Sequence, residues 1–251
     1  MPYPVREIEL IPQNIPLDIH YEDDDLVVVN KPANMVVHPG YGNYTGTLVN
    51  ALVYHFDHLP HRSQDYYGRP GLVHRLDKHT TGLMVIAKTE HALTHLAKQF
   101  YDRTTERRYQ ALVWGDVTED GIIQGNIGRS LKNRKMMTVF PDGEHGKHAV
   151  THYTVLKRFG LVTLVECKLE TGRTHQIRVH LAHFRHPLVG DPLYGSDPKL
   201  AAALKLDRQW LHAHKLAFSH PISGEWVEFE SDYPQDLELA LNRLRDVDFR
   251  L

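Results

Sequence analysis

One cysteine, Cys167, is all the chain contains, so an intramolecular disulfide is excluded and with it the disulfide-stapled class of small secreted domain. It sits in an apolar alternating run, which predicts a strand and a buried structural thiol rather than a nucleophile, and suits a reducing compartment. No stretch approaches the roughly 18 consecutive apolar residues of a membrane span. The opening Met1-Pro-Tyr-Pro-Val-Arg-Glu-Ile-Glu-Leu10 lacks the basic-then-apolar layout of a secretory signal. The expectation is a cytoplasmic protein. Phosphate-cradling loops of the Walker type and dinucleotide glycine patterns are also missing, which leaves nucleotide hydrolysis and hydride transfer without support. Ser/Gly linkers, low-complexity tracts and repeats are absent too. One domain over the 251 residues is the simplest count, and 41% apolar content is enough for a substantial core.

Charge of one sign is lacking overall, the formal net charge being −2, which argues at first against a nucleic-acid partner. The average hides an asymmetry. Residues 62 to 180 hold 19 basic and 12 acidic side chains, a net of +7, leaving −9 for the remainder. Arg129, Lys132, Arg134 and Lys135 form the densest basic run, whereas Glu225 to Glu238 holds six acids and no base. Taken alone, such a run is a solvated face.

Apolar alternation and β-branched content predict strands near Leu26–Asn30, Leu83–Lys88, Tyr109–Trp114, Val150–Leu156, Leu161–Leu169, Trp210–Ala217 and Trp226–Glu230. Helical spacing appears at Leu48/Leu52/His55, Leu93/Leu96/Phe100, Ile177/Leu181/Phe184 and Leu237/Leu241/Leu244. Thr89 and Thr174 are the predicted N-caps of the second and third. Strands and helices do not alternate, so the fold class is α+β, with a mixed, mainly antiparallel sheet and flanking helices, rather than a doubly wound parallel sheet. Turn-rich Gly40–Thr47, Leu59–Gly71 and Asp142–Lys147 are the predicted mobile loops.

Three segments carry chemistry. Gly71-Leu-Val-His-Arg-Leu-Asp-Lys-His-Thr-Thr-Gly82 reads as a polar loop delivering Asp77 to the edge of the strand that follows. The plainer reading is an Asx-type turn. In Glu170-Thr-Gly-Arg-Thr-His-Gln-Ile-Arg-Val-His-Leu-Ala-His183, Gly172 and a helix start make an electropositive corner to which Arg173 and Arg178 add fixed charge. Arginine near a carboxylate keeps it ionised and oriented; the plainer reading is a pair of surface ion pairs. Between these lies Glu106-Arg-Arg-Tyr-Gln-Ala-Leu-Val-Trp114, whose alternation puts Tyr109, Ala111 and Val113 on one face. Tyr109 is then a core ring or the platform on which an extruded base stacks.

Together these segments resemble the RluA family of pseudouridine synthases in letters, order and spacing. The family pattern His-Arg-Leu-Asp-x-x-Thr-(Ser/Thr)-Gly is met by His74 to Gly82, Lys/Arg-x-Tyr by Arg107 to Tyr109, and Gly-Arg-Thr-His-Gln-(Ile/Leu)-Arg-x-His by Gly172 to His180. His186-Pro-Leu-Val-Gly-Asp-Pro-Leu-Tyr-Gly195 and Tyr21-Glu-Asp-Asp-Asp-Leu-Val-Val-Val-Asn-Lys-Pro32 extend the likeness over nearly the whole chain. The resemblance implies a single catalytic domain of the pseudouridine synthase fold with a central cleft and no metal or organic cofactor. Many relatives carry an S4-type RNA-binding domain ahead of the catalytic domain, whereas this chain has no room for one before Tyr21, so either the protein works without it or the chain is a fragment. The resemblance implies RNA as partner, large-subunit ribosomal RNA in the first place and transfer RNA as the alternative, bound by a monomer. It also implies roles: Asp77 as the aspartate that attacks or deprotonates the nucleotide so that uracil leaves C1′, rotates and rejoins through C5; Arg178 as the arginine pairing with it; Tyr109 as the stacking tyrosine; and Arg75 as the arginine that fills the space of a flipped base.

Two other classes compete. His91 and His95 stand four apart on a predicted helix, as zinc pairs do, but Ala92 occupies the position of the general-base glutamate, and His180, His183 and His186 match no common ligand spacing. A non-catalytic RNA-binding module would have lost Asp77, Tyr109 or Arg178, and all three are present.

Overall fold

The computed structural model describes residues 9–62, 69–195 and 197–246. In chain order the elements are β1 (Ile19–Glu22), β2 (Leu26–Lys31), α1 (Leu48–His55), β3 (Thr81–Ala87), α2 (Glu90–Asp102), β4 (Glu106–Trp114), β5 (Gly121–Gln124), β6 (Asn126–Arg129), β7 (Met137–Phe140), β8 (Val150–Arg158) and β9 (Val162–Leu169). The chain ends with α3 (Gln176–His183), α4 (Pro198–Ala203), β10 (Leu211–Ser219), β11 (Trp226–Glu230) and α5 (Gln235–Arg243). The pairs β1–β2, β2–β3, β4–β9, β5–β8, β6–β7 and β8–β9 are all antiparallel, so the α+β class with a mainly antiparallel sheet holds.

Contacts divide the chain into two compact units, the first made of Met1–Thr105 with Ala217–Phe229 and the second of Glu106–Leu216 with Glu230–Leu251. Each unit is thus completed by a segment from the far end of the sequence. That is why no linker composition marks a boundary.

In the first unit β2 and β3 form its buried centre. Leu26 to Val29 and Leu83 to Ala87 are all buried, pairing Val27 with Ile86 and Val28 with Val85. A strand apolar on both faces needs cover on both. On α2, Ala92, Leu93 and Leu96 are buried. The expected cap is present, since the Thr89 hydroxyl accepts the Ala92 N–H at 3.2 Å. On α1 the cap is one that sequence reading missed. Thr47 Oγ1 accepts the Asn50 N–H and Asn50 Oδ1 accepts the Thr47 N–H, a reciprocal box in which asparagine replaces the usual Glu or Gln.

The second unit is built on neighbours β4, β9, β8 and β5 in that order. Behind them Leu112, Leu164, Leu200, Leu206, Trp210, Leu237 and Leu244 form one apolar cluster. Two polar clamps lock it: the Trp210 indole donates to the Leu237 carbonyl at 3.0 Å, and Arg208 grips both carboxylate oxygens of Asp236. Cys167 is fully buried, and burial pushes its thiol up to about 12, an inert thiol.

Three expectations need revision or restriction. The N-cap of α3 is His175, not Thr174; it adopts the left-handed conformation (φ 55°) and caps with no side-chain bond. Gln176, the first residue of α3, fastens the approach to the helix, its Oε1 accepting the Arg173 N–H at 3.0 Å and the Thr171 hydroxyl at 2.7 Å. Strands β1, β5, β6 and β7, of four residues each, and the six-residue α4 were not anticipated, because a segment of one turn or two pleats shows no periodicity. Of the predicted loops, Leu59–Gly71 lies partly outside the described residues, while Gly40–Thr47 is opened by a tight turn in which Gly40 and Asn43 exchange backbone hydrogen bonds.

Burial in the second unit predicts acid sensitivity. His212 is pushed down to about 4 from 6.5, mainly by burial, and burial also lowers His180 and His214. A histidine with a depressed folded pKa is neutral when folded and takes up a proton only on unfolding, so stability is full above 6.5 and is lost as pH falls towards 4. His212 alone accounts for about 3 kcal/mol over that window by the linkage relation. Urea unfolding at pH 7 and pH 5 should show the drop, and His212→Gln should reduce it, with His180 and His214 supplying the rest; an unchanged slope would remove His212 as a cause.

Candidate active site

The loop carrying Asp77 lies in the first unit and is fastened to β3 along its length. The Gly71 carbonyl accepts the Ala87 N–H at 2.9 Å, Leu72 and Ile86 form a bridge, and His74 Nε2 accepts the Val85 N–H at 3.0 Å. That last bond requires the proton on Nδ1, and the His74 ring stacks on Phe100 at 4.6 Å. Gly71 is required here: its φ is +71°, and a Cβ would stand 2.5 Å from the Ala87 carbonyl oxygen. Leu76 is buried, so alternation along an extended segment turns Arg75 outward to an exposed position. Asp77 is half-buried, and its carbonyl accepts the Thr80 N–H at 3.1 Å, closing the turn that leads into β3.

The far side of this turn is held by a group that sequence reading missed. Lys31 ends β2 with only 1% of its surface exposed. Its ammonium donates to the carbonyls of Pro32 at 2.7 Å, Met35 at 3.0 Å and Lys78 at 3.1 Å. Lys78 directly follows Asp77, and the same carbonyl also accepts the Met35 N–H. The signal in the sequence was a lysine, followed by proline, closing an otherwise apolar strand.

Tyr109, Arg178 and Arg173 lie in the second unit. Tyr109 is on β4, opposite Cys167 of β9, and is 6% exposed. The predicted face of Tyr109, Ala111 and Val113 is buried as expected. Gly172 leaves room for Arg107, whose Nη1 would stand 2.8 Å from an added Cβ. Arg173 donates to the His148 carbonyl at 2.9 Å. Arg178, on α3, is 6% exposed and makes a two-point contact with the buried Asp191, Nε to Oδ2 at 2.8 Å and Nη2 to Oδ1 at 3.0 Å. Its guanidinium also lies over the Tyr194 ring at 5.1 Å. It is therefore a built-in charge, not a surface ion pair.

The basic run falls on the connection between β6 and β7. Arg129, Lys132, Arg134 and Lys135 are all exposed there, and Arg129 Nη1 holds the Arg134 carbonyl at 2.6 Å, giving the connection a defined shape. His91 and His95 make other bonds, to the Pro221 carbonyl and to Gln99. Among the described residues no group of three His, Cys, Asp or Glu side chains is placed to hold a metal ion, and no helix is long and apolar enough to cross a membrane.

Comparison with known proteins places the chain in a class, that of enzymes that rearrange a base within RNA. The model of the RNA pseudouridylate synthase family matches residues 25–183. The chain is 49% identical over 239 residues to the ribosomal large subunit pseudouridine synthase D of Zymomonas mobilis, covering 93% of this chain and 74% of that one. It is 48% identical to an uncharacterized RNA pseudouridine synthase of Bacillus subtilis, over 95% and 76% of the two chains. Among solved structures, human RNA pseudouridylate synthase domain containing 4 superposes with a TM-score of 0.70 at 28% identity, covering 90% of this chain and 92% of that one. The chain belongs to the RNA pseudouridylate synthase family. It is an isomerase that converts uridine in RNA to pseudouridine.

Proposed function

We propose that the chain modifies uridines of large-subunit ribosomal RNA, with Asp77 as the catalytic carboxylate and Arg75, Tyr109 and Arg178 as substrate-binding residues. The observation that carries this reading is the Asp77 loop: a half-buried carboxylate on a segment fastened to β3 and held from behind by a buried ammonium is prepositioned for one task. The substrate class rests on the relatives, several of which are named ribosomal large subunit pseudouridine synthase D.

The chemistry asks for little else. The N1–C1′ bond breaks, a C5–C1′ bond forms, the proton leaves C5 and N1 gains one, with no redox change and no phosphoryl transfer. One ionised carboxylate, a stacking ring and a pocket that excludes water meet that need. The family likeness gives Arg178 the role of pairing with the reacting carboxylate and Tyr109 that of the ring on which the uracil turns, the hydroxyl helping to remove the C5 proton. Arg75, exposed beside Asp77, fills the place of the extruded base; extrusion costs a few kcal/mol. The basic connection after β6 offsets part of that through phosphate contacts. The enzyme works in the cytoplasm as a monomer.

Tritium release from RNA labelled at uridine C5 tests the reading, with ribosomal and transfer RNA from cells lacking the enzyme as separate substrates. Release from large-subunit RNA supports it; release from transfer RNA alone replaces the target, and release from neither overturns the reading. With the Tyr109 hydroxyl helping to remove the C5 proton, Tyr109→Phe should keep KM within about twofold and lower kcat by ~100-fold, the smaller end of what a positioned proton-transfer group contributes. Wild-type turnover in that variant would take the hydroxyl out of the mechanism and leave only the ring.

A further inference from the structure

The contact between Arg178 and Asp191 is more elaborate than charge neutralisation needs. Asp191 is 3% exposed, and its two oxygens take Nε and Nη2 of Arg178 in the paired geometry that fixes the plane of a guanidinium. Oδ1 also accepts the Leu193 N–H at 2.9 Å, and the Asp191 N–H donates to the Leu188 carbonyl at 3.2 Å, so the carboxylate is anchored to its own turn. That turn has one allowed position: Gly190 has φ +82°, and a Cβ there would stand 2.1 Å from the Arg208 carbonyl oxygen. The face of the guanidinium is set by Tyr194, whose ring lies 5.1 Å away. The Tyr194 hydroxyl is itself pinned, accepting the Met137 N–H at 2.9 Å and lying 2.6 Å from His175 Nδ1. Edge and face of Arg178 are therefore both constrained, by groups that are themselves constrained.

We propose that Asp191 is a positioning residue for the isomerisation: it acts through Arg178, aiming the guanidinium, and Tyr194 supports it by fixing the face. The inference rests on the reading that gives Arg178 a role in the reaction. A long side chain with a mobile charge supplies the same electrostatics on average but not in one geometry, and chemistry is sensitive to displacements of an ångström. A bidentate carboxylate on one edge and an aromatic ring on one face remove that freedom before substrate arrives.

Asp191→Asn is the informative change. It keeps the shape and the Oδ1 contacts and replaces Oδ2, the acceptor for Nε, by an amide donor. Tritium release should show kcat lowered at least tenfold, KM within about twofold, and an unchanged circular dichroism spectrum. The same substitution on an Arg178→Met background should change kcat by less than twofold, because a residue that acts through Arg178 has nothing left to act on. Should Asp191→Asn fail to fold, Arg178→Lys makes the comparison, keeping the charge and losing the two-point contact, and the same kcat loss at constant KM is expected. Wild-type kcat in Asp191→Asn, an equal loss on the Arg178→Met background, or wild-type turnover by Arg178→Lys overturns the inference. Absence of turnover by the wild type overturns the functional reading along with it, so the two failures are distinguishable.

Discussion

Asp77→Ala should lower pseudouridine formation by about four to six orders of magnitude, the scale of loss when an enzyme's reacting side chain is removed. RNA binding should change little, because phosphate contacts made elsewhere dominate affinity. The fold should survive. The loop around Asp77 is held by backbone bonds from Gly71 to Ala87 and from Asp77 to Thr80, and by His74 and Lys31, none of which uses the Asp77 carboxylate. The stability change should stay within about 1 kcal/mol, typical of a substitution that opens no core cavity. Asp77→Asn, closer in shape, should be equally inactive. Tritium release and urea unfolding of the same preparations check both halves, and turnover within tenfold of wild type by either variant would remove Asp77 as the reacting group.

The second large effect is expected at Lys31, and it is one of stability first. Its ammonium donates to three backbone carbonyls at 2.7 to 3.1 Å, and the residue is 1% exposed. Lys31→Met keeps the aliphatic length but takes this donor from the Pro32 and Met35 carbonyls, while the Lys78 carbonyl keeps the Met35 N–H. Each buried acceptor so orphaned costs about 1 to 3 kcal/mol, so a loss of about 2 kcal/mol or more is expected in urea unfolding. Activity should fall further than the unfolded fraction explains, because Lys78 is the residue next to Asp77 and the turn would loosen. Lys31→Arg should not rescue, since a planar guanidinium does not fit a site made for three converging bonds to a small ammonium. A Lys31→Met protein as stable and as active as the wild type would show that the three contacts contribute nothing net.

These predictions concern residues that were legible in the sequence to different degrees, for physical reasons. Asp77, Arg75, Tyr109 and Arg178 stand in three motifs, and the loop-before-strand and strand readings around the first three hold in the structure. Lys31 and Asp191 stand in segments that extend the likeness, yet the residues around them do not say what either one holds. Their importance comes from distance in sequence: Lys31 meets Lys78 across 47 positions, and Arg178 meets Asp191 across 13. Burial was not legible either: a polar run gives no sign of it, yet Asp77 is half-buried where Leu76, Thr80 and Thr81, all buried, lead the segment into β3.

What the sequence by itself determined was the type and place of every long element, through periodicity, and the family, through motifs in order. A run such as Leu83–Ala87 is a strand wherever it lies, because its side chains must be covered on both faces. Only the tertiary structure decided how those groups are held. The cap of α3 passed from Thr174 to a left-handed His175 because Gln176 found partners on Arg173, Thr171 and β8. Arg178 changed from a helix-surface charge into a fixed one because Asp191 and Tyr194 close on it from the turn that follows. Hydrogen bonds between segments depend on where the chain returns, and no local pattern of residues encodes that return.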